Sequence, residues 1–405
     1  MQILISIERL NSLNAGGIEN VSWQIAKEFE RCGHKVYFLS LLTPIPENEI
    51  EEFCSENRRY VLPDSKNIDS EVNLAYLEQL IEQNDIDIVL NQNGNNLQYS
   101  NILFKVRDRI EKKIKIVSAH HFNPDYLIKD INDSYFIADR LRLNIFKWLK
   151  AIVRFIIYKL FYLNVKNQRL YRNYLEIYNK SDAYVLLSKT FIYSFLKDTK
   201  IKSGNKLFAI SNPVCMTKER TLVDEKEKVI LYVGRLVRSQ KRVDRVLSLW
   251  YRIYRDYPDW KLVIVGEGGY RSCLEEFVDK NGIERVEFKG RQNPTEYYKI
   301  ASIFTMVSTI EGFGLVLAEA QQAGCVPMAY NSFESVTDII DDGEDGVLVT
   351  SFSSKEYERK LRVLMDDENL RERMMNNCMN KDYSRFDVKN VAKQWIELFE
   401  NLQNL

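Results

Sequence analysis

Residues 303–323 read I-F-T-M-V-S-T-I-E-G-F-G-L-V-L-A-E-A-Q-Q-A, and the order of residue types in them decides the fold. The apolar run 303–307 has the length of a buried strand, and 315–323 has the length and composition of a helix. Gly312 and Gly314 stand between them, where a chain leaving a strand must turn into a helix. A glycine-led helix start presents unpaired N–H groups and partial positive charge, which suits a diphosphate.

The same grammar extends outward from this unit. Segments 228–233, 261–265 and 285–288 read as strands, with helices predicted over 243–256, 273–280 and 294–300. The first half repeats it, with strands at 2–7, 35–40, 85–90 and 113–119 and a helix at 18–31. Strands spaced by helix-length segments imply right-handed crossovers and parallel sheets covered on both faces. Between the halves lies S-N-P-V-C-M-T-K-E-R at 211–220, where Pro213 stops regular structure. Two doubly wound α/β domains are expected, over 1–210 and 211–385, with a closing segment 386–405 whose helix, at 388–402, returns to the first domain.

Composition narrows the function classes. The 405 residues contain 57 Lys plus Arg against 57 Asp plus Glu, so global charge gives no pull toward nucleic acid. Six cysteines without a C-x-x-C pair argue against a zinc site or a disulfide framework and for reduced, mostly buried thiols in the cytosol. The chain enters its first strand directly, so a secretory signal is not expected. A local exception to the even charge is 142–178, where eight Lys or Arg accompany Phe146, Trp148, Phe155, Tyr158, Phe161 and Tyr162 and the one acid is Glu176. Cations interrupt it too often for a membrane span. It fits either a basic aromatic helix resting on anionic lipid or an internal helix pair with snorkelling lysines.

Several residues suit phosphate chemistry. The strand 228–233 runs into Gly234-Arg235, and Lys241 follows. Arg offers a planar fork for phosphate oxygens and Lys a point charge, so the pair can neutralise a leaving diphosphate. Arg238 and Arg242 read as solvated loop charges. Glu311 and Glu319 flank the glycine turn, although two Glu at this spacing are more often a solvated helix than a site. Gly266 and Gly268 open the loop V-G-E-G-G, but a dinucleotide fingerprint would need glycine where Arg271 stands, even though Glu287 falls near the expected acid. A nicotinamide enzyme is thus the weaker alternative. No D-x-D triad offers a metal site, and Asp341-Asp342 falls in a turn-rich, solvated loop.

The ordered set G-R-L…Q-K-R, V-G-E-G, F-K-G, S-T-I-E-G-F-G-L-V-L-A-E-A and A-G-C-V-P resembles the retaining glycosyltransferase family 4 over nearly all of 225–350. The resemblance implies the GT-B architecture, two Rossmann-like domains facing across a cleft. By it Arg235 and Lys241, after Gly234, hold a donor diphosphate, and Glu311 lies near the donor sugar hydroxyls. Phe313, Gly314, Leu315 and Val316 present backbone to sugar and phosphate, and Glu319 accepts from the nucleotide ribose. Gly266 and Gly268 belong to the same nucleotide-binding set. More loosely, A-G-G-I-E at 15–19 makes Gly16 and Gly17 a loop over the phosphates. The resemblance also implies a catalytic-site histidine ending a first-domain strand. His121 is preferred for its place beside the loop and its distance to Pro124, with His120 packed on the sheet; for either, a structural role is the alternative.

The implied activity is a retaining hexosyl transfer by front-face displacement, from a UDP-sugar to a glycan or lipid-linked acceptor, with no cofactor or metal required and no nucleic-acid partner. The expected location is cytoplasmic, and the lipid reading of 142–178 would make the protein peripheral on the membrane. The alternatives are another GT-B nucleotide-sugar enzyme, epimerase-like or phosphorylase-like, and a non-catalytic sugar-nucleotide-binding partner.

Overall fold

A computed structural model describes residues 1–8, 17–40, 58–124, 163–201, 203–214, 226–238 and 240–404. The chain divides into two compact units, Met1–Pro124 with Tyr162–Pro213 and Ser384–Leu405, and Asp125–Phe161 with Val214–Tyr383.

In the first unit, seven strands form one parallel sheet: β1 (Gln2–Ile7), β2 (Lys35–Ser40), β3 (Arg59–Val61), β4 (Ile88–Asn91), β5 (Lys115–His120), β6 (Ala183–Leu186) and β7 (Leu207–Ala209). Their order is β3-β2-β1-β4-β5-β6-β7. Five of the seven strands, β1, β2, β4, β5 and β6, are buried except at most for their first residue, as a sheet covered on both faces requires. The helix Gly17–Arg31 covers one face with Val21, Trp23, Ile25, Ala26 and Phe29. The closing helix Val388–Gln403 buries Val391, Ala392, Trp395, Leu398, Phe399 and Leu402 in the same core, at the spacing of one helical stripe. Phe399 meets Phe29 with ring centroids 5.7 Å apart.

The second unit has six parallel strands: β8 (Glu227–Val233), β9 (Lys261–Val265), β10 (Val286–Gly290), β11 (Ala301–Met306), β12 (Val326–Tyr330) and β13 (Val347–Val349), ordered β10-β9-β8-β11-β12-β13. The chain moves outward from β8 to β10, then returns to lay β11 beside β8. The strand order therefore reverses between β8 and β11, and between β1 and β4 in the first unit. In open parallel sheets ligands bind outside the carboxyl ends of the strands at such a reversal.

Some expectations need correcting. Two of the four described cysteines, Cys32 and Cys273, are exposed, because they lie just past a helix end and on the outer face of a helix; Cys325 and Cys378 are buried. The strand near Glu287 runs on to Gly290, so Glu287 is its second residue rather than its end. Its carboxylate pairs with Lys289 at 2.7 Å, and Arg271 pairs with Glu267 and Glu275. The dinucleotide fingerprint therefore has neither its third glycine nor its acid. Asp341 and Asp342 are exposed, as the loop reading expects.

Of 142–178, residues 142–162 and all six of the aromatics singled out above lie outside the described residues. The rest falls in the helix Leu163–Lys180, which buries Tyr174, Ile177 and Tyr178 and exposes Arg169 and Arg172. That part has the inward aromatic face of an ordinary packed helix. Among the described residues no helix is long and apolar enough to cross a membrane.

Candidate active site

The loops after β8 and β11 leave the second sheet side by side, at the reversal point. They are joined by a backbone hydrogen bond from Thr309 N–H to the Gln240 carbonyl, 2.8 Å. Lys241 on one loop donates to both carboxylate oxygens of Glu311 on the other, at 2.7 and 2.8 Å. Glu311 is 9% exposed and the Lys241 side chain 18%. An ion pair this sheltered is screened much less than a surface pair. Removing one partner would leave a charge poorly solvated.

Glycine chemistry fixes the loop that carries Arg235. A Cβ on Gly266 would stand 1.9 Å from the Gly234 carbonyl oxygen, and one on Gly268 would stand 2.4 Å from that of Leu236. The loops after β8 and β9 are thus stacked backbone on backbone, with Gly234 N–H donating to Val265 and Leu236 N–H to Glu267. Gly266 and Gly268 hold the Gly-Arg-Leu loop in place, a packing role that spacing alone did not show. Arg235 stands exposed on that loop. Arg238 is exposed as expected, but Arg242 is not a solvated charge. It is 6% exposed, adopts φ +49° before the helix Val243–Ile253, and pairs with Asp244 at 2.9 Å. Its burial follows from that pairing, since an unpaired guanidinium would not be left inside.

The turn after Glu311 behaves as the glycines suggest. Gly314 takes φ +88° and precedes the helix Leu315–Gln322, so the N–H groups of Leu315 and Val316 begin it without intrahelical partners. Phe313 is buried, and its carbonyl accepts from the Ser335 hydroxyl at 3.1 Å. Glu319, one turn in, is half-buried and accepts from the Tyr298 hydroxyl at 2.9 Å. Burial pushes its carboxyl above the usual range, and the Tyr298 hydrogen bond draws it partly back. No motif had marked Tyr298.

In the first unit the site residues are neutral. His120 is fully buried, its Nδ1 2.8 Å from the Tyr184 hydroxyl, which itself donates to the Gly94 carbonyl. Burial pushes its pKa down to about 3, with repulsion from His121 adding to the effect. His121 follows β5 and is 5% exposed, its Nε2 against Gln92 Oε1 and its Nδ1 3.2 Å from Asn212 Oδ1. Burial lowers its pKa to about 4, opposed by the Asn212 hydrogen bond. A neutral imidazole has one N–H, so one of the two amides presents its NH2 to the ring. Gly17 is the first residue of its helix, exposed, and a Cβ there would meet nothing. Gly16 lies outside the described residues. Among the described residues no cluster could hold a metal ion.

Comparison with known proteins supplies a context for this geometry. A Haemophilus influenzae protein named an uncharacterized glycosyltransferase is 25% identical over 390 residues, 95% of this chain and 97% of that protein. A Campylobacter jejuni alpha-1,4-N-acetyl-D-galactosaminyltransferase, named for a GalNAc-GalNAc-diNAcBac-PP-undecaprenol, is 28% identical over 44% of this chain and 50% of its own length. The crystal structure of Anabaena HepE in complex with UDP superposes with a TM-score of 0.71 at 15% identity, covering 99% of this chain and 100% of that one. The fold is thus the expected GT-B architecture of two α/β domains. Residues 217–381, which carry Arg235, Lys241, Glu311 and Glu319, match the family model of glycosyl transferases group 1.

Proposed function

We propose that the protein is a retaining glycosyltransferase of family 4, moving a hexose or N-acetylhexosamine from a UDP-sugar to a glycan or lipid-linked acceptor in cell-surface polysaccharide synthesis. The observation that carries this is the Lys241–Glu311 pair at the reversal point of the second sheet, beside the glycine-led helix start at Gly314. In transfer, the diphosphate gains charge as the sugar departs. Lys241 has three donors, so it can hold Glu311 and a phosphate oxygen together. Arg235 and the N–H groups of Leu315 and Val316 add preorganised positive charge. Glu311, oriented by Lys241, accepts from donor hydroxyls, and Glu319 accepts from the ribose. Front-face displacement then asks the protein mainly to orient both substrates and stabilise the leaving group. No metal or cofactor is assigned; His121, Gly16 and Gly17 enter this reading through the family resemblance alone.

The UDP assignment draws support from the fold relative crystallised with UDP, and the lipid-linked acceptor from the undecaprenol-linked name of the Campylobacter relative. We assign 1–210 to the acceptor side, 211–385 to the donor and 386–405 to the closing helix. The protein acts in the cytoplasm at the inner membrane face, with 142–178 as its lipid contact; equal failure to float with anionic and neutral liposomes removes that contact.

Nucleotide release from a panel of UDP-, GDP- and ADP-sugars tests the activity. Slow hydrolysis of one UDP-sugar, with an α-linked donor yielding an α-linked product by NMR when acceptor is supplied, is the expected result. No release from any sugar nucleotide overturns it.

A further inference from the structure

Tyr298 is 2% exposed, in the short helix Thr295–Ile300. Its ring packs on Phe304, with centroids 5.9 Å apart. Its hydroxyl reaches across to Glu319 Oε2, and among the described residues it is the one side chain bonded to that carboxylate. A second tie runs behind the pair. Lys226 Nζ donates to the Tyr298 carbonyl at 2.9 Å and to the Ala323 carbonyl at 2.5 Å, joining the element that carries Tyr298 to the end of the helix that carries Glu319. The donor and acceptor are therefore both fixed in place. A carboxylate has about four lone-pair sites, and a phenol supplies one proton.

We propose that Tyr298 is a positioning residue for nucleotide recognition: its hydroxyl takes Oε2 of Glu319 and leaves Oε1 for the vicinal hydroxyls of a nucleotide ribose. The proposal rests on the donor reading above. It also concerns the charge state of Glu319. Burial favours the neutral acid, whereas the Tyr298 hydrogen bond favours the carboxylate that a ribose diol needs. The other groups at this spot are the Lys226 ammonium and the Cys325 thiol, which burial pushes up to about 12. Below neutral pH, Glu319 is therefore the group here that titrates.

The experiment is calorimetric titration of UDP and 2′-deoxy-UDP into the wild-type chain, Tyr298→Phe, Glu319→Gln and the double variant, near neutral pH and about two units lower. Tyr298→Phe should weaken UDP about five- to tenfold and deoxy-UDP much less, with the UDP loss growing at the lower pH. Glu319→Gln should lose the preference for ribose and its pH dependence, and adding Tyr298→Phe to it should cost nothing further. Glu319→Gln reports on the same contact should Tyr298→Phe fail to fold, and a retained ribose preference in it overturns the proposal. Equal weakening of both nucleotides by Tyr298→Phe makes Tyr298 a packing residue and also overturns it. A wild-type chain that binds UDP and deoxy-UDP alike refutes the Tyr298 role and leaves the donor reading standing. A wild-type chain that binds no nucleoside diphosphate removes the donor reading and this inference with it.

Discussion

The two sheets reverse strand order in the same way, yet they carry opposite kinds of polar group near the reversal. In the second unit a cation and an anion meet, Lys241 on Glu311. In the first, His121 sits between two amides, Gln92 and Asn212, and burial keeps both it and His120 uncharged. A charged pair suits a site that must meet a diphosphate, since its cation is already desolvated and aimed. A neutral imidazole whose two nitrogens are taken by Gln92 and Asn212 brings no positive charge to a phosphate. Chemistry, not fold, separates the two units.

The sharpest way to break this contrast is Lys241→Ala. It removes the cation and strands the Glu311 carboxylate beside the incoming phosphates, so turnover should fall about 10³-fold in a steady-state assay. A fall under about tenfold would make the pair structural. Gly266→Ala comes next, because its Cβ would collide with the Gly234 carbonyl and displace the loop that carries Arg235. A loss of about 3 kcal/mol in denaturant unfolding is expected, with donor affinity falling as well. Unchanged stability would contradict the stacking of the two loops.

Glu311→Gln sharpens the contrast by separating its two halves. Transfer should fall about a hundredfold, while free UDP binds more tightly because Lys241 no longer has an anion to satisfy. Weaker UDP binding would show that Glu311 mainly supports the loop.

The smallest effect is on pH. His120 and His121 fold with pKa values well below their unfolded value of about 6.5, so the unfolded chain binds more protons between the two. Their contribution to stability is present above pH ~6.5 and is lost as pH falls toward ~4. Denaturant melts between neutral and pH ~5 should show the first unit weakening, and His120→Phe should flatten the slope. A slope that His120→Phe leaves unchanged would mean that His120 is solvated.

Much of the fold was legible because parallel strands buried on both faces are plain apolar runs, as at residues 228–233 and 261–265. Strands of three residues, Arg59–Val61 and Leu207–Ala209, are too short to stand out from loop. At the site, glycine turns and lone cations leave a local signature, so Arg235, Lys241, Glu311 and Gly314 could be proposed from the sequence. Partners brought together by folding leave none. Tyr298 lies 21 residues from Glu319, and Asn212 lies 91 from His121. Arg242 misled for the same reason, since its burial depends on the Asp244 carboxylate and on the backbone turn before its helix.

The most direct test of the central claim is titration of a UDP-sugar into the wild-type chain and Lys241→Ala, followed by binding. The account predicts saturable binding by the wild type and a loss of about a hundredfold or more in the variant, with UDP alone showing the same loss. Equal binding by the two proteins would show that the Lys241–Glu311 pair does not hold the donor diphosphate.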